Sequence, residues 1–237
     1  MPAPTTDGPR IAFFGGSFDP PHRGHLAVAR AARAALRLDT VLFAPVGAQP
    51  LKPQGSTAGF EHRLAMTRLA IADEPGFAIS LADAPTVAGA PNYTIDTLLA
   101  LRAGLPPGGT LFCLMGADSF LGLRRWHRGA EIPFVAPLIV ASRPGESLAD
   151  LTSVLPEGLS IHEQAPAAAD AVDLRCYTLR NATGESAPFY LLPGLEVNVS
   201  ASQIRLQAQA ARGRLPGGHD LLPESVSSYI AEHGLYR

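Results

Sequence analysis

"GGSFDPPHRGHLAVARAARAAL", residues 15–36, runs from a glycine pair through two prolines into an alanine-rich helix with His22 and His25 at its start. Before it, Ile11-Ala12-Phe13-Phe14 is a short apolar run stopped by Gly15-Gly16, which reads as a buried strand feeding a turn. The histidines therefore stand at a strand-to-helix crossing. In an open α/β sheet, ligands bind outside the carboxyl ends of the strands, where the N–H groups of a helix start attract an anion.

Outward from this stretch, strands and helices alternate. Residues 40–46, "TVLFAPV", predict a second strand, followed by a polar loop over 47–59 and a helix over 60–73. "FAISLAD" (77–83) predicts a third strand, residues 93–104 a helix with Gly104 as its C-cap, and "TLFCLMG" (110–116) and "PLIVASR" (137–143) two more strands. Residues 144–188 mix Pro, Ala, Asp and Thr without a clean period and read as loops around one or two short elements. A last strand over 195–200 turns into a helix over 201–212, and Pro223 opens a C-terminal helix followed by Gly234. Such alternation implies parallel βαβ units: an α/β, doubly wound, mostly parallel sheet with helices on both faces.

At 237 residues and 46% hydrophobic content, the chain has enough apolar surface for one sizeable core, so a single domain over 1–237 is expected, with residues 1–9 flexible. The 23 glycines and 22 prolines are spread without a period, which suggests tight turns rather than a low-complexity chain. A formal net charge of −2 and the lack of any Lys/Arg block argue against a nucleic-acid partner or a membrane surface. Only two cysteines occur, one of them, Cys113, inside an apolar run, which favours a structural thiol in a reducing compartment. The first ten residues lack an apolar h-region and no run approaches a membrane span, so a cytoplasmic protein is expected.

The glycine turn matches neither usual phosphate loop. It lacks the third glycine of G-x-G-x-x-G, and no G-K-[ST] occurs in the chain. Taken singly, each histidine reads more simply as a packed or surface residue; two on one helical turn after a glycine turn point to a site. Gly24 between them leaves room for a nucleotide close to the backbone. The string GG-x-FDP-x-H-x-GH over residues 15–25 resembles the signature of the nucleotidyltransferase superfamily related to class I aminoacyl-tRNA synthetases. "VNVSASQIRLQAQ" (197–209) resembles its I-S-S-T-x-I-R element, departing from it at Ala201, where a hydroxyl is usual, and at Ser202, which stands for threonine. Helix N-capping by Ser200 or Ser202 is the plain alternative there. Within the superfamily, "NYTIDTL", "GADSF", "LRRWH", "YIAEHGLY" and the loop with Lys52 before "HRLAM" are similar to the bacterial nicotinate-nucleotide adenylyltransferase family. That family has a Rossmann-like fold.

The resemblance implies AMP transfer from ATP to nicotinate mononucleotide in NAD biosynthesis, with Mg²⁺ accompanying the ATP and no protein metal site. It implies that His22, His25 and Arg205 are catalytic. It also implies ATP contacts from Gly15, Gly16, Ser17, Phe18 and Gly24, from Lys52 and Asp118, and from Ser200 and Ser202. For the acceptor, Trp126 offers a flat indole to a pyridine ring, and Tyr93 and Thr94 open a helix whose amides suit a carboxylate. Surface placement of Trp126 and simple capping at Tyr93, Thr94 and Asp118 are the alternatives. Two rival functions stay open: a nucleotidyltransferase for nicotinamide mononucleotide or phosphopantetheine, and a non-catalytic metal binder using His22 and His25. Assembly into a homo-oligomer is not decided by the sequence.

Overall fold

β1 (Arg10–Gly16) is apolar on both sides: Ala12 and Phe14 pack into one buried cluster and Phe13 into another. Successive strand side chains point to opposite faces, so a strand with both faces covered reads as a continuous apolar run. β2 (Thr40–Pro45) and β4 (Thr110–Gly116) divide the same way, with Phe43 and Leu114 to the first cluster and Ala44 and Cys113 to the second. The structure is a computed structural model that describes residues 8–51, 54–86, 89–142, 151–163, 174–192, 199–210 and 221–237.

Helices cover both faces. Against the first cluster pack α1 (Arg23–Leu36), α2 (Phe60–Ile71), α7 (Ala201–Ala210) and α8 (Glu224–Glu232), through Leu26, Met66, Ile204 and Val226 respectively. Against the second pack α3 (Thr94–Ala103), α4 (Ala117–Leu121) and α5 (Ile132–Val135), through Ile95, Phe120 and Ile132. Phe13, Phe43, Phe120 and Phe189 are almost wholly buried, each contributing on the order of 1.5–3 kcal/mol. Among the described residues no helix is long and apolar enough to cross a membrane.

β3 (Phe77–Ile79), β5 (Leu138–Ala141), β6 (Leu159–Glu163), β7 (Arg175–Asn181) and β8 (Ser186–Leu192) complete an eight-stranded sheet of order β3-β2-β1-β4-β5-β8-β7-β6. The run from β3 to β8 is parallel, and β7 and β6 add antiparallel strands at one edge. From β1 the chain builds outward through β2 and β3 and then returns to the other side of β1 with β4. The space between the ends of β1 and β4 is therefore the topological switch point, where ligands bind in such sheets.

Four details differ from the sequence reading. The segment 144–188, read as loops around one or two elements, holds α6 (Leu151–Val154), β6, β7 and the start of β8, with a tight turn at 181–184 where Gly184 has φ +86°. β3 stops at Ile79 rather than at 83: Ala84 N–H turns back to the Leu81 carbonyl (3.0 Å), carrying Asp83 off the sheet edge. Of the strand expected over 195–200, residues 195–198 lie outside the described residues, and Val199 and Ser200 are not in a strand. Pro9, expected to be loose, is anchored, its carbonyl accepting the Thr110 N–H at 2.8 Å.

Candidate active site

At the end of β1 the backbone must pass close to other groups. A Cβ on Gly15 would lie 2.8 Å from the Phe13 ring. Phe18 then takes a left-handed conformation (φ +47°) and is buried, its ring edge-on to Phe14 and His25 at 5.6 and 5.0 Å. His22 and His25 stack with centroids 3.7 Å apart. The His22 backbone N–H donates to His25 Nδ1 (3.1 Å), the reciprocal arm of a capping box at the start of α1. A nitrogen that accepts carries no proton, so the neutral His25 ring holds its hydrogen on Nε2 and is a donor there.

Behind this turn lies a network that the sequence reading missed. Arg63, only 2% exposed, donates to the carbonyls of Ser17 (2.7 Å), Val46 (2.7 Å) and Ala58 (3.1 Å), joining the loops after β1, after β2 and before α2. Burial lowers its pKa, opposed by the charge of Asp19; a guanidinium still keeps its proton. Asp19, also buried, accepts the N–H groups of Thr57 (2.6 Å) and Ala58 (3.1 Å) and the Tyr236 hydroxyl (2.7 Å). Burial first, and then the Asp19 carboxylate, push Tyr236 well above the usual phenol range, so it stays a donor. Arg205 donates to the Asp19 carbonyl (2.8 Å) and to Ser202 Oγ (3.1 Å). It is the fifth residue of α7, just beyond the first turn. Ser200 Oγ accepts the Gln203 N–H (3.2 Å), so it does cap α7.

Across the switch point, Tyr93 is the N-cap of α3 and Thr94 its first residue, as expected. The Tyr93 ring lies 4.4 Å from that of His127. Trp126 ends a short 3-10 turn (Leu123–Arg125), half-buried against the second cluster. Asp118 sits in the first turn of α4, where Gly116 is the N-cap, so its carboxylate is not the cap. Asp83 is 4% exposed and accepts the Thr97 hydroxyl; burial raises its pKa against that bond. Burial also pushes the Cys113 thiol up to about 12, and both cysteines are free.

One cavity of about 810 Å³ joins the two sides, in the size range of small-molecule sites. Every candidate residue lines it except Lys52, which lies outside the described residues. Asp83, Asn92 and Gln49 line it too and were not singled out from sequence. The buried arginine carried one signal, "HRLAM" beside the loop, but nothing in that string marks three carbonyl partners. Among the described residues no group of three or more His, Cys, Asp or Glu is placed to hold a metal. His25 Nδ1, one of the nitrogens a metal binder would use, accepts the His22 N–H.

Residues 13–207 match the Cytidylyltransferase-like family. The chain is 36% identical over 227 residues to a probable nicotinate-nucleotide adenylyltransferase of Citrifermentans bemidjiense, covering 96% of this chain and 98% of that one. It belongs to the nicotinate-nucleotide adenylyltransferase family. A second member, from Gloeobacter violaceus, is 37% identical over 235 residues, covering 97% of each chain. The solved nicotinic acid mononucleotide adenylyltransferase of Plasmodium falciparum, complexed with NaAD, superposes with a TM-score of 0.67 at 16% identity over 96% of this chain and 97% of that one. At that identity the likeness shows that this adenylyltransferase shares the fold.

Proposed function

We propose that the cavity transfers AMP from ATP to nicotinate mononucleotide, giving nicotinate adenine dinucleotide and pyrophosphate in NAD biosynthesis. The observation that carries this reading is that the stacked histidines, Arg205 and the start of α3 line one cavity at the switch point. A mononucleotide phosphate oxygen attacks the ATP α-phosphorus in line; that P–O bond forms as the bond to the β-phosphate oxygen breaks. The nucleophile is already ionised, so no base is required, and catalysis is positioning and charge stabilisation. His25 Nε2–H and the His22 ring face the triphosphate as negative charge moves to pyrophosphate. Arg205, pinned to the Asp19 carbonyl, holds the β- and γ-phosphates.

Gly15, Gly16, Ser17, Phe18 and Gly24 bound the nucleotide by close backbone approach, Asp118 takes ribose hydroxyls, and Ser200 and Ser202 support the α7 end. Lys52 is an auxiliary cation in this scheme. Mg²⁺ enters as part of the MgATP substrate, held by phosphate oxygens and water. Trp126 stacks on the pyridine ring, and the Tyr93 and Thr94 amides meet the nicotinate carboxylate. We take residues 1–237 as one nucleotidyltransferase domain of a cytoplasmic enzyme that acts on small molecules, with neither nucleic acid nor membrane as partner and with homo-oligomer formation open. The test is kcat/KM for nicotinate mononucleotide, nicotinamide mononucleotide and phosphopantetheine, followed by pyrophosphate release with MgATP. The nicotinate form should win over the nicotinamide form by about 100-fold or more, because amide donors face another donor in the carboxamide. Comparable values would move the assignment to a dual-specificity enzyme.

A further inference from the structure

Beside the acceptor half of the cavity, the loops that follow β2 and β3 touch backbone to backbone. Gly47 N–H donates to the Asp83 carbonyl (2.7 Å), and a Cβ on Gly47 would lie 2.5 Å from Pro85. Asn92 bridges the same two loops. Its Oδ1 accepts the Ala48 N–H (2.9 Å), its Nδ2 donates to the Ala84 carbonyl (3.0 Å), and its own N–H donates to the Ala48 carbonyl (2.9 Å). The bridge needs an acceptor and a donor on one short, planar side chain, which is what an asparagine amide supplies.

The two ends of the bridge lead to the two substrates. Next to Ala48, Gln49 Oε1 accepts the Ser17 hydroxyl (3.1 Å) of the glycine turn. Next to Asn92 in the chain, Tyr93 and Thr94 open α3, and Asp83 of the same loop is tied to that helix through Thr97. The nucleotide turn is thus connected to the acceptor helix through Ser17, Gln49, Ala48 and Asn92. In-line displacement needs the reacting atoms about 3–3.5 Å apart and aligned, and a displacement of about 1 Å costs on the order of 10²-fold in rate.

We propose that Asn92 is a positioning residue that sets the acceptor site at its working distance from the ATP turn. This rests on the function proposed above. It acts through the Tyr93 and Thr94 amides, touching neither reacting group itself. Removing the amide leaves the Asn92 N–H to the Ala48 carbonyl as the one remaining bond of the bridge, which loosens the α3 start against the two loops without touching the Asp19–Arg63 network under the ATP turn.

The experiment compares the unaltered enzyme with Asn92→Ala and Asn92→Asp. KM and kcat for nicotinate mononucleotide are read from pyrophosphate release, and ATP affinity is read separately by calorimetry without acceptor. Asn92→Ala should raise the acceptor KM about tenfold or more and lower kcat, with ATP affinity within about threefold. Asn92→Asp keeps the acceptor for Ala48 N–H but loses the donor to Ala84. It should resemble Asn92→Ala at about pH 8 and move back toward the unaltered enzyme, compared at each pH, as acid protonates its carboxyl and restores the donor. An acceptor KM within about twofold of normal in Asn92→Ala would overturn the proposal. Equal weakening of ATP and acceptor, with no recovery of Asn92→Asp in acid, would also overturn it, leaving Asn92 a folding residue. If the unaltered enzyme forms no dinucleotide from these substrates, the proposed function fails as well; if it forms product and the variants match it, only the role of Asn92 fails.

Discussion

On the side of the cavity proposed for the nucleotide, charged groups are drawn into the structure and met by backbone groups and hydroxyls. Arg63 spans three carbonyls, Asp19 takes two amides and a phenol, and Arg205 is pinned to the same turn. The side proposed for the acceptor is built differently, from a half-buried indole, a Tyr93–His127 ring pair and the start of a short helix. Taking a guanidinium out of water costs several kcal/mol unless its donors are met, and here each of three guanidinium nitrogens is met. That investment falls where a small shift in the donors would waste their field on the triphosphate. Ring faces tolerate such shifts, because stacking falls off gradually with offset.

The contrast is broken most directly at His25. His25→Ala should lower kcat by about 10²-fold or more, since a lost preorganised donor to developing charge typically costs about 3 kcal/mol, and nucleotide affinity should change less. A near-normal kcat would take His25 out of the chemistry and with it the case for a rigid nucleotide side. Arg205→Ala should come next. Losing a charge-assisted clamp should raise KM for ATP by about tenfold, and an unchanged KM in a folded variant would return Arg205 to a structural tie between α7 and Asp19.

On the acceptor side a smaller effect is expected. Trp126→Ala should weaken nicotinate and nicotinamide mononucleotides by a similar factor of about three to ten, as stacking is worth on the order of 1 kcal/mol. Kinetics with both acceptors would show whether they fall together; a selective loss for one would mean that the indole reads the carboxyl substituent. The smallest effect concerns Asp83, which burial holds above the usual carboxylate range. A group with a raised folded-state pKa adds stability that is full below its unfolded value and is lost as pH rises through the folded value. Asp83→Asn keeps an acceptor for Thr97 and removes that loss. Urea unfolding should therefore find the variant gaining on the unaltered enzyme as pH rises above the ordinary carboxylate range. A difference that is flat, or falls with pH, would show that the carboxylate is well compensated.

The legibility of the chain follows the same division. Strands buried on both faces announce themselves: "IAFF", "VLFAP" and "TLFCLMG" are continuous apolar runs, and each is a strand of the parallel core. The antiparallel edge was hidden because β6 and much of β7 are half exposed, so their apolar content is diluted. Pro188 further disguised β8. It sits one residue before the pairing with β5 begins, where a missing N–H is tolerated.

At the site, the motif residues could be named from sequence because glycines, histidines and a helix start at fixed short spacing describe a local structure, and local structure is encoded locally. The turn after β1, the start of α1 and the start of α3 are of this kind. Arg63, Tyr236 and Asn92 are not. Each lies inside a string that carries the family resemblance, "HRLAM", "YIAEHGLY" or "NYTIDTL", yet nothing in those strings marks its partners, which are as distant as Asp19 is from Tyr236. Their partners are largely backbone groups, which every residue carries and no side-chain pattern marks; only the folded sheet, by bringing the loops after β1, β2 and β3 to one end, decides which carbonyls and amides need an answer.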